Sequence, residues 1–187
     1  MSAPSPKRRL RKSPRRSQDQ RRTETRAAVL ESASRHFGSK GYADTSLEAI
    51  ARDCSLTIAP IYHYFGSKRG LFEAVNEAMN ARILETLQGD TDSPWRAFLA
   101  LCAEPGFRRV LLIDAPTILG REDWAESAVY RAAGRLLGHQ DAGRLETRMM
   151  LAALAEAALT IGESEDPEAM AAESEAVVAR LLAAFRG

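Results

Sequence analysis

Between Asp53 and Thr57 only Cys54, Ser55 and Leu56 intervene, and that short gap constrains the fold more than any other feature. Before it, Leu47, Ile50 and Ala51 recur at the spacing of one helix face, behind Thr45-Ser46 and with Glu48 in the first turn. This predicts a short hydroxyl-capped helix ending near Asp53. After the gap, Pro60 stands in a first helical turn, where proline is tolerated because the amide there has no helical acceptor, and Thr57 is placed to cap. The spacing predicts a third helix over residues 58–65. Two short helices joined by a tight turn form a helix-turn-helix, whose second helix lies in the major groove of DNA.

The flanks fit. Val29, Leu30, Ala33 and Phe37 predict a first helix that stops near Gly38 to Gly41, where glycine tolerates a left-handed turn. Ser67 is placed to cap a fourth, which carries Leu71, Phe72, Val75, Met79 and Ile83 inward as far as about Leu87. In the third helix Ile61 and Phe65 share the core face, Tyr62 and His63 turn outward, Tyr64 sits between, and Ile58 and Ala59 start the exposed tip. Outward rings bearing polar atoms can reach phosphate oxygens while their apolar bodies pack at the rim. An aromatic core seam is the competing explanation of this run, and for Phe65 it is the one adopted.

Charge is distributed unevenly along the 187 residues. Residues 1–22 hold nine Lys/Arg against Asp19 alone, although the whole chain carries a net charge of only +1. That stretch is rich in Ser and Pro, has almost no apolar side chain to repay the entropy of ordering, and is expected to be disordered. Such a tail points to a polyanion, since Lys and Arg gain affinity by displacing condensed counterions; a merely solubilising tail is the alternative. The remaining composition, 45% hydrophobic and 27% charged, suits one or two small globular domains. Cys54 and Cys102 lie far apart, no apolar run follows the basic start, and nothing approaches a membrane span, so the expectation is a cytoplasmic protein with no membrane association. His36, His63 and His139 are widely separated, and neither cysteine has a partner at metal-ligand spacing. No metal, cofactor or enzymatic constellation is therefore expected, and Cys54 reads as a small packed thiol rather than a redox sensor.

Residues 93–187 carry further helical patterns. Ser93-Pro94 opens one, Pro105-Gly106 breaks it, helices over 122–137 and 142–161 follow, and Asp166-Pro167 caps a last one to about Phe185. In the last two, Leu145, Met149, Ala152, Ala153 and Leu159, then Ala171, Val177, Val178, Leu181 and Leu182, form alanine-rich stripes that allow close helix approach. They fit a four-helix contact between two copies of the chain or, alternatively, a core within one.

From about Arg26 to Val75 the chain resembles the TetR family of bacterial transcriptional repressors. The likeness rests on Val29-Leu30, Phe37 with Gly41-Tyr42, Thr45-Ser46 with Ile50-Ala51, Ile61-Tyr62-His63-Tyr64-Phe65, and Ser67-Lys68 with Leu71-Phe72. The resemblance implies an all-α protein: a helix-turn-helix DNA-binding domain over 23–70, a connecting helix over 68–87, and an effector-binding and dimerisation domain over 88–187. It implies a homodimer joined through the last two helices, a double-stranded DNA operator as partner, and release by a small apolar or amphipathic effector. A weakly sequence-selective DNA-binding protein relying on its tail is the alternative. Carried onto this chain, Tyr62 and Lys68 become phosphate contacts, Thr45 and Ser46 lie where the second helix meets the backbone, and Thr57, Ile58, Ala59, Pro60 and His63, with Tyr64 beside them, face the bases. Two departures stand out: Ser55 occupies the turn position where the family usually has glycine, and Ile58-Ala59-Pro60 is an apolar tip that can touch thymine methyls but donates no hydrogen bond. The implied effector pocket lies in the body, with Trp95, Phe98, Phe107, Asp114, Trp124 and Tyr130 as candidate lining; Asp114 and Glu156 are the acids out of place among apolar neighbours.

Overall fold

The computed structural model describes residues 17–88, 93–120, 131–132 and 145–186. The first helix, α1 (Gln18–Asp44), begins earlier than the sequence pattern suggested. Ser17 and Gln20 form a reciprocal capping box, the Ser17 hydroxyl accepting from the Gln20 amide and the Gln20 side chain accepting from the Ser17 amide. Residues 18–22, expected to belong to the disordered tail, are therefore helical. The Ser-x-x-Gln signature was present in the sequence, but the density of arginine beside it masked the signal. Near its other end α1 kinks at Gly41, whose φ of 81° lies in the region that favours glycine.

Helices α2 (Leu47–Asp53), α3 (Ala59–Phe65) and α4 (Lys68–Gln88) follow. Val29, Ala33 and Phe37 of α1, Leu47, Ile50 and Ala51 of α2, Ile61 of α3 and Leu71, Phe72 and Val75 of α4 are buried in one core. Phe37, Tyr42 and Phe72 meet there, Phe72 standing edge-on to both other rings at centroid distances of 5.1 Å. Together these helices form the head.

Ser93 precedes α5 (Pro94–Cys102), with Pro94 in the first turn. Then α6 (Pro105–Arg108), a π-helical stretch (Arg109–Asp114) and α7 (Ala115–Ile118) run on through right-handed helical backbone. The widened stretch ends where Pro116 removes a donor: the Ala115 amide reaches back five residues to the Val110 carbonyl. The helix expected over 122–137 lies almost wholly outside the described residues. Helices α8 (Leu145–Glu163) and α9 (Pro167–Arg186) pack on each other, and Asp166 caps the second through the Ala169 amide. No described helix is long and apolar enough to cross a membrane, and no group of three or more potential metal ligands gathers among the described residues.

Candidate nucleic-acid interface

The turn between α2 and α3 is a Schellman closure. The Ser55 amide donates to the Arg52 carbonyl and the Leu56 amide to the Ala51 carbonyl, while Ser55 sits at φ 55°. That is the position where the resemblance puts glycine, so serine here carries the strain of a left-handed residue that has a Cβ. On the far side of α3 the chain turns again at Gly66 (φ 74°), and the Ser67 hydroxyl caps α4 by accepting from the Gly70 amide. Gly70 lies so close to the Phe65 carbonyl that no side chain fits, which holds the end of α3 against the start of α4.

Between these two turns α3 presents its rings outward. Tyr62 is 51% exposed, His63 is exposed, and Tyr64 is half-buried with its ring 5.3 Å from that of His63. Ile61 is fully buried and Phe65 partly so, which separates core face from outer face as the helical spacing required. Ala59 is exposed, while Ile58 and Pro60 are half-buried, Ile58 packing on the core.

Several expected contacts are placed differently. Thr57 is exposed but makes no capping bond; Ile58 occupies the cap position without a side-chain acceptor, so the expected Thr57 cap is corrected. Thr45 is 2% exposed and its hydroxyl donates to the Gly41 carbonyl, so it fastens the kink of α1 and does not offer that hydroxyl to DNA. Ser46 is exposed and its hydroxyl caps α2 by accepting from the Ala49 amide. Lys68 is half-buried: its ammonium donates to the Ala43 carbonyl at 3.0 Å and lies 4.6 Å from the Tyr42 ring centroid, which spends part of its donor capacity inside the protein. Opposite the turn, His36 Nε2 and Asp53 Oδ2 are 2.6 Å apart, clamping the end of α2 to α1, and that hydrogen bond holds the Asp53 carboxyl below its ordinary range. The Cys54 thiol donates to the Ala28 carbonyl on the same seam.

A family model described as "Bacterial regulatory proteins, tetR family" matches residues 29–75, and one described as "Tetracyclin repressor-like, C-terminal domain" matches residues 92–185. The chain belongs to the TetR family. It is 29% identical over 96 residues to the HTH-type transcriptional regulator UidR of Escherichia coli K12, across 48% of this chain and 49% of that protein. It thus spans about half the length of the curated relatives it matches. A TetR-family transcriptional regulator from Pectobacterium atrosepticum superposes with a TM-score of 0.64 at 30% identity, covering 91% of this chain and 97% of that one. A TetR-like regulator from Rhodococcus sp. RHA1 shares the fold, with a TM-score of 0.61 at 24% identity over 85% of this chain and 96% of that one. TetR-family regulators are transcription factors that bind DNA and dimerise, and they are not enzymes.

How this TetR-family head is joined to its body is visible in three contacts. Gly38 of α1 and Gly106 of α6 meet backbone to backbone, a Cβ on Gly38 falling 2.8 Å from the Gly106 Cα. The Asp114 carboxylate accepts the Tyr42 amide at 2.8 Å, just past the Gly41 kink, and the Arg109 guanidinium covers the space where a Gly41 side chain would stand. Asp114, a candidate pocket residue from sequence, is thus a structural tie between body and head. The other pocket candidates separate: Phe98 and Phe107 are buried core members, Trp95 is half-buried with Arg96 over its ring, and Trp124 and Tyr130 lie outside the described residues. Burial pushes the Cys102 thiol up to about 12, which leaves it an inert core group. Sequence reasoning missed the paired glycines, because a glycine that permits helix contact looks the same in sequence as one that ends a helix.

Proposed function

We propose that the chain is a DNA-binding transcriptional repressor that grips a near-palindromic operator as a homodimer and is released by a small apolar or amphipathic effector in its body. The observation that carries this reading is α3: a short helix closed by left-handed turns at both ends, buried through Ile61 and exposing Tyr62 and His63. Two such helices, one per subunit, meet successive major grooves about 34 Å apart. Tyr62, His63 and the exposed Ser46 are the polar contacts on that face, with the residual donors of Lys68 beside them; Ile58, Ala59 and Pro60 supply apolar contact to thymine methyls.

Dimerisation through α8 and α9 is supported by the apolar side chains they leave in water, Leu145, Met149 and Val177. Effector release is supported by the joint. Movement of α6 or the π-helical stretch cannot proceed without disturbing the Gly38–Gly106 contact or the Asp114–Tyr42 bond, so a ligand that prefers one arrangement of the body shifts the spacing of the heads. Coupling of this kind is typically about 1–3 kcal/mol. Selection of bound duplexes from a random-sequence pool tests the reading: a symmetric pair of half-sites preferred about a thousandfold or more over random DNA is expected. Recovery of duplexes with no common sequence would replace it with binding that rests on phosphate contacts alone.

A further inference from the structure

The family match begins at residue 29, whereas α1 begins at Gln18. The turns between them open on the Ser17–Gln20 capping box, and two of their arginines reach the rings of α3. Arg22 and Arg26, four apart and therefore on one face of α1, lie over the rings of the recognition helix: the Arg22 guanidinium is 5.9 Å from the Tyr64 centroid and that of Arg26 is 5.3 Å from the Phe65 centroid. Both residues are exposed. Elsewhere Arg35, Arg69, Arg82 and Arg96 each hold a carboxylate, but among the described residues neither Arg22 nor Arg26 does, although Asp19 shares their side of the helix. An aromatic face occupies only the flat side of a guanidinium; its N–H donors lie in the plane and point past the ring edge, the geometry that suits a phosphate.

We propose that Arg22 and Arg26 form a second DNA contact, carried by α1, that takes phosphates flanking the groove entered by α3, with the Tyr64 and Phe65 rings holding the two guanidiniums in place. The positive charge continues upstream, where residues 1–16 hold seven Lys/Arg and no acid. This inference rests on the reading that α3 engages duplex DNA and adds a contact outside the part of the head that the family shares.

The test uses the full chain and a fluorescent duplex that it has itself selected from a random pool, with affinity measured from about 50 to 300 mM salt. Replacing both arginines as R22Q/R26Q keeps a planar group for stacking and removes the charge. The expected log-log salt slope falls by about 1.8 per half-site, at about 0.9 per phosphate contact. R22K/R26K, which keeps the charge, retains the slope. A slope unchanged in R22Q/R26Q, with thermal melting like the parent, overturns the inference and leaves the arginines as packing groups. Should R22Q/R26Q melt early, the same slopes are read from R22Q and R26Q singly, and two unchanged slopes overturn it equally. Tyr62→Ala with His63→Ala in parallel keeps the two levels apart: if that variant binds as the parent does, the α3 reading itself fails.

Discussion

Phe37 and Phe72 in the head are sealed from water, whereas Leu145 and Met149, one turn apart on α8, are 67% and 53% exposed. The head closes its apolar surface within one chain, and its turns, caps and glycines satisfy the backbone locally. The body leaves a stripe of apolar side chains open at α8 and α9. The contrast separates two kinds of exposed ring or aliphatic group. On α8 and α9 the exposed residues are aliphatic and continue a packed stripe, which suits a second copy of the same surface. On α3 the exposed rings carry polar atoms and stand on a helix whose core needs are already met by Ile61, which suits a polar partner.

The contrast can be attacked at its strongest point first. If the head core is self-sufficient, Phe72→Ala leaves a cavity that nothing fills and lowers stability by about 3–5 kcal/mol in urea unfolding; a loss below about 1 kcal/mol would mean that the head is loosely packed. If the body is completed by a second copy, L145E/M149E weakens self-association at least about tenfold in sedimentation, or about 1.4 kcal/mol, with helicity intact. Unchanged association would place the dimer contact elsewhere. A smaller gain is expected at Ser55, where glycine relieves a left-handed residue but gives the unfolded chain more freedom, so Ser55→Gly raises stability by about 0.5–1 kcal/mol. The smallest effect is a pH signature. Because the His36 hydrogen bond holds the folded Asp53 carboxyl below its ordinary value of 3.8, its contribution is present above that pH and fades as pH falls through the folded value. The stability gap between the parent and Asp53→Asn should therefore narrow on acidification from pH 6 to pH 3.

Much of the head was legible because its signals are local. The buried faces of α2 and α4 follow directly from the spacing of Leu47, Ile50, Leu71, Phe72, Val75, Met79 and Ile83. The left-handed turn at Ser55 was marked by a departure from an expected glycine. What sequence could not place were contacts between residues far apart in the chain. Asp114 looked like a stray acid in an apolar run because its partner is a backbone amide 72 residues away. Thr45 looked like a surface hydroxyl because the kink that buries it depends on Gly41 folding back beneath Arg109. Thr57 looked like a cap because its residue type suits the role, yet the backbone enters α3 already helical at Ile58.

The most direct measurement is the affinity of the full chain for its selected duplex after Tyr62→Ala and His63→Ala together, set against circular dichroism of the same variant. If α3 is the reading head, operator binding falls by at least about a hundredfold, the loss of two contacts at ~1.4 kcal/mol or more each, while helicity and dimerisation persist. Undiminished binding by a folded, dimeric variant would contradict the account.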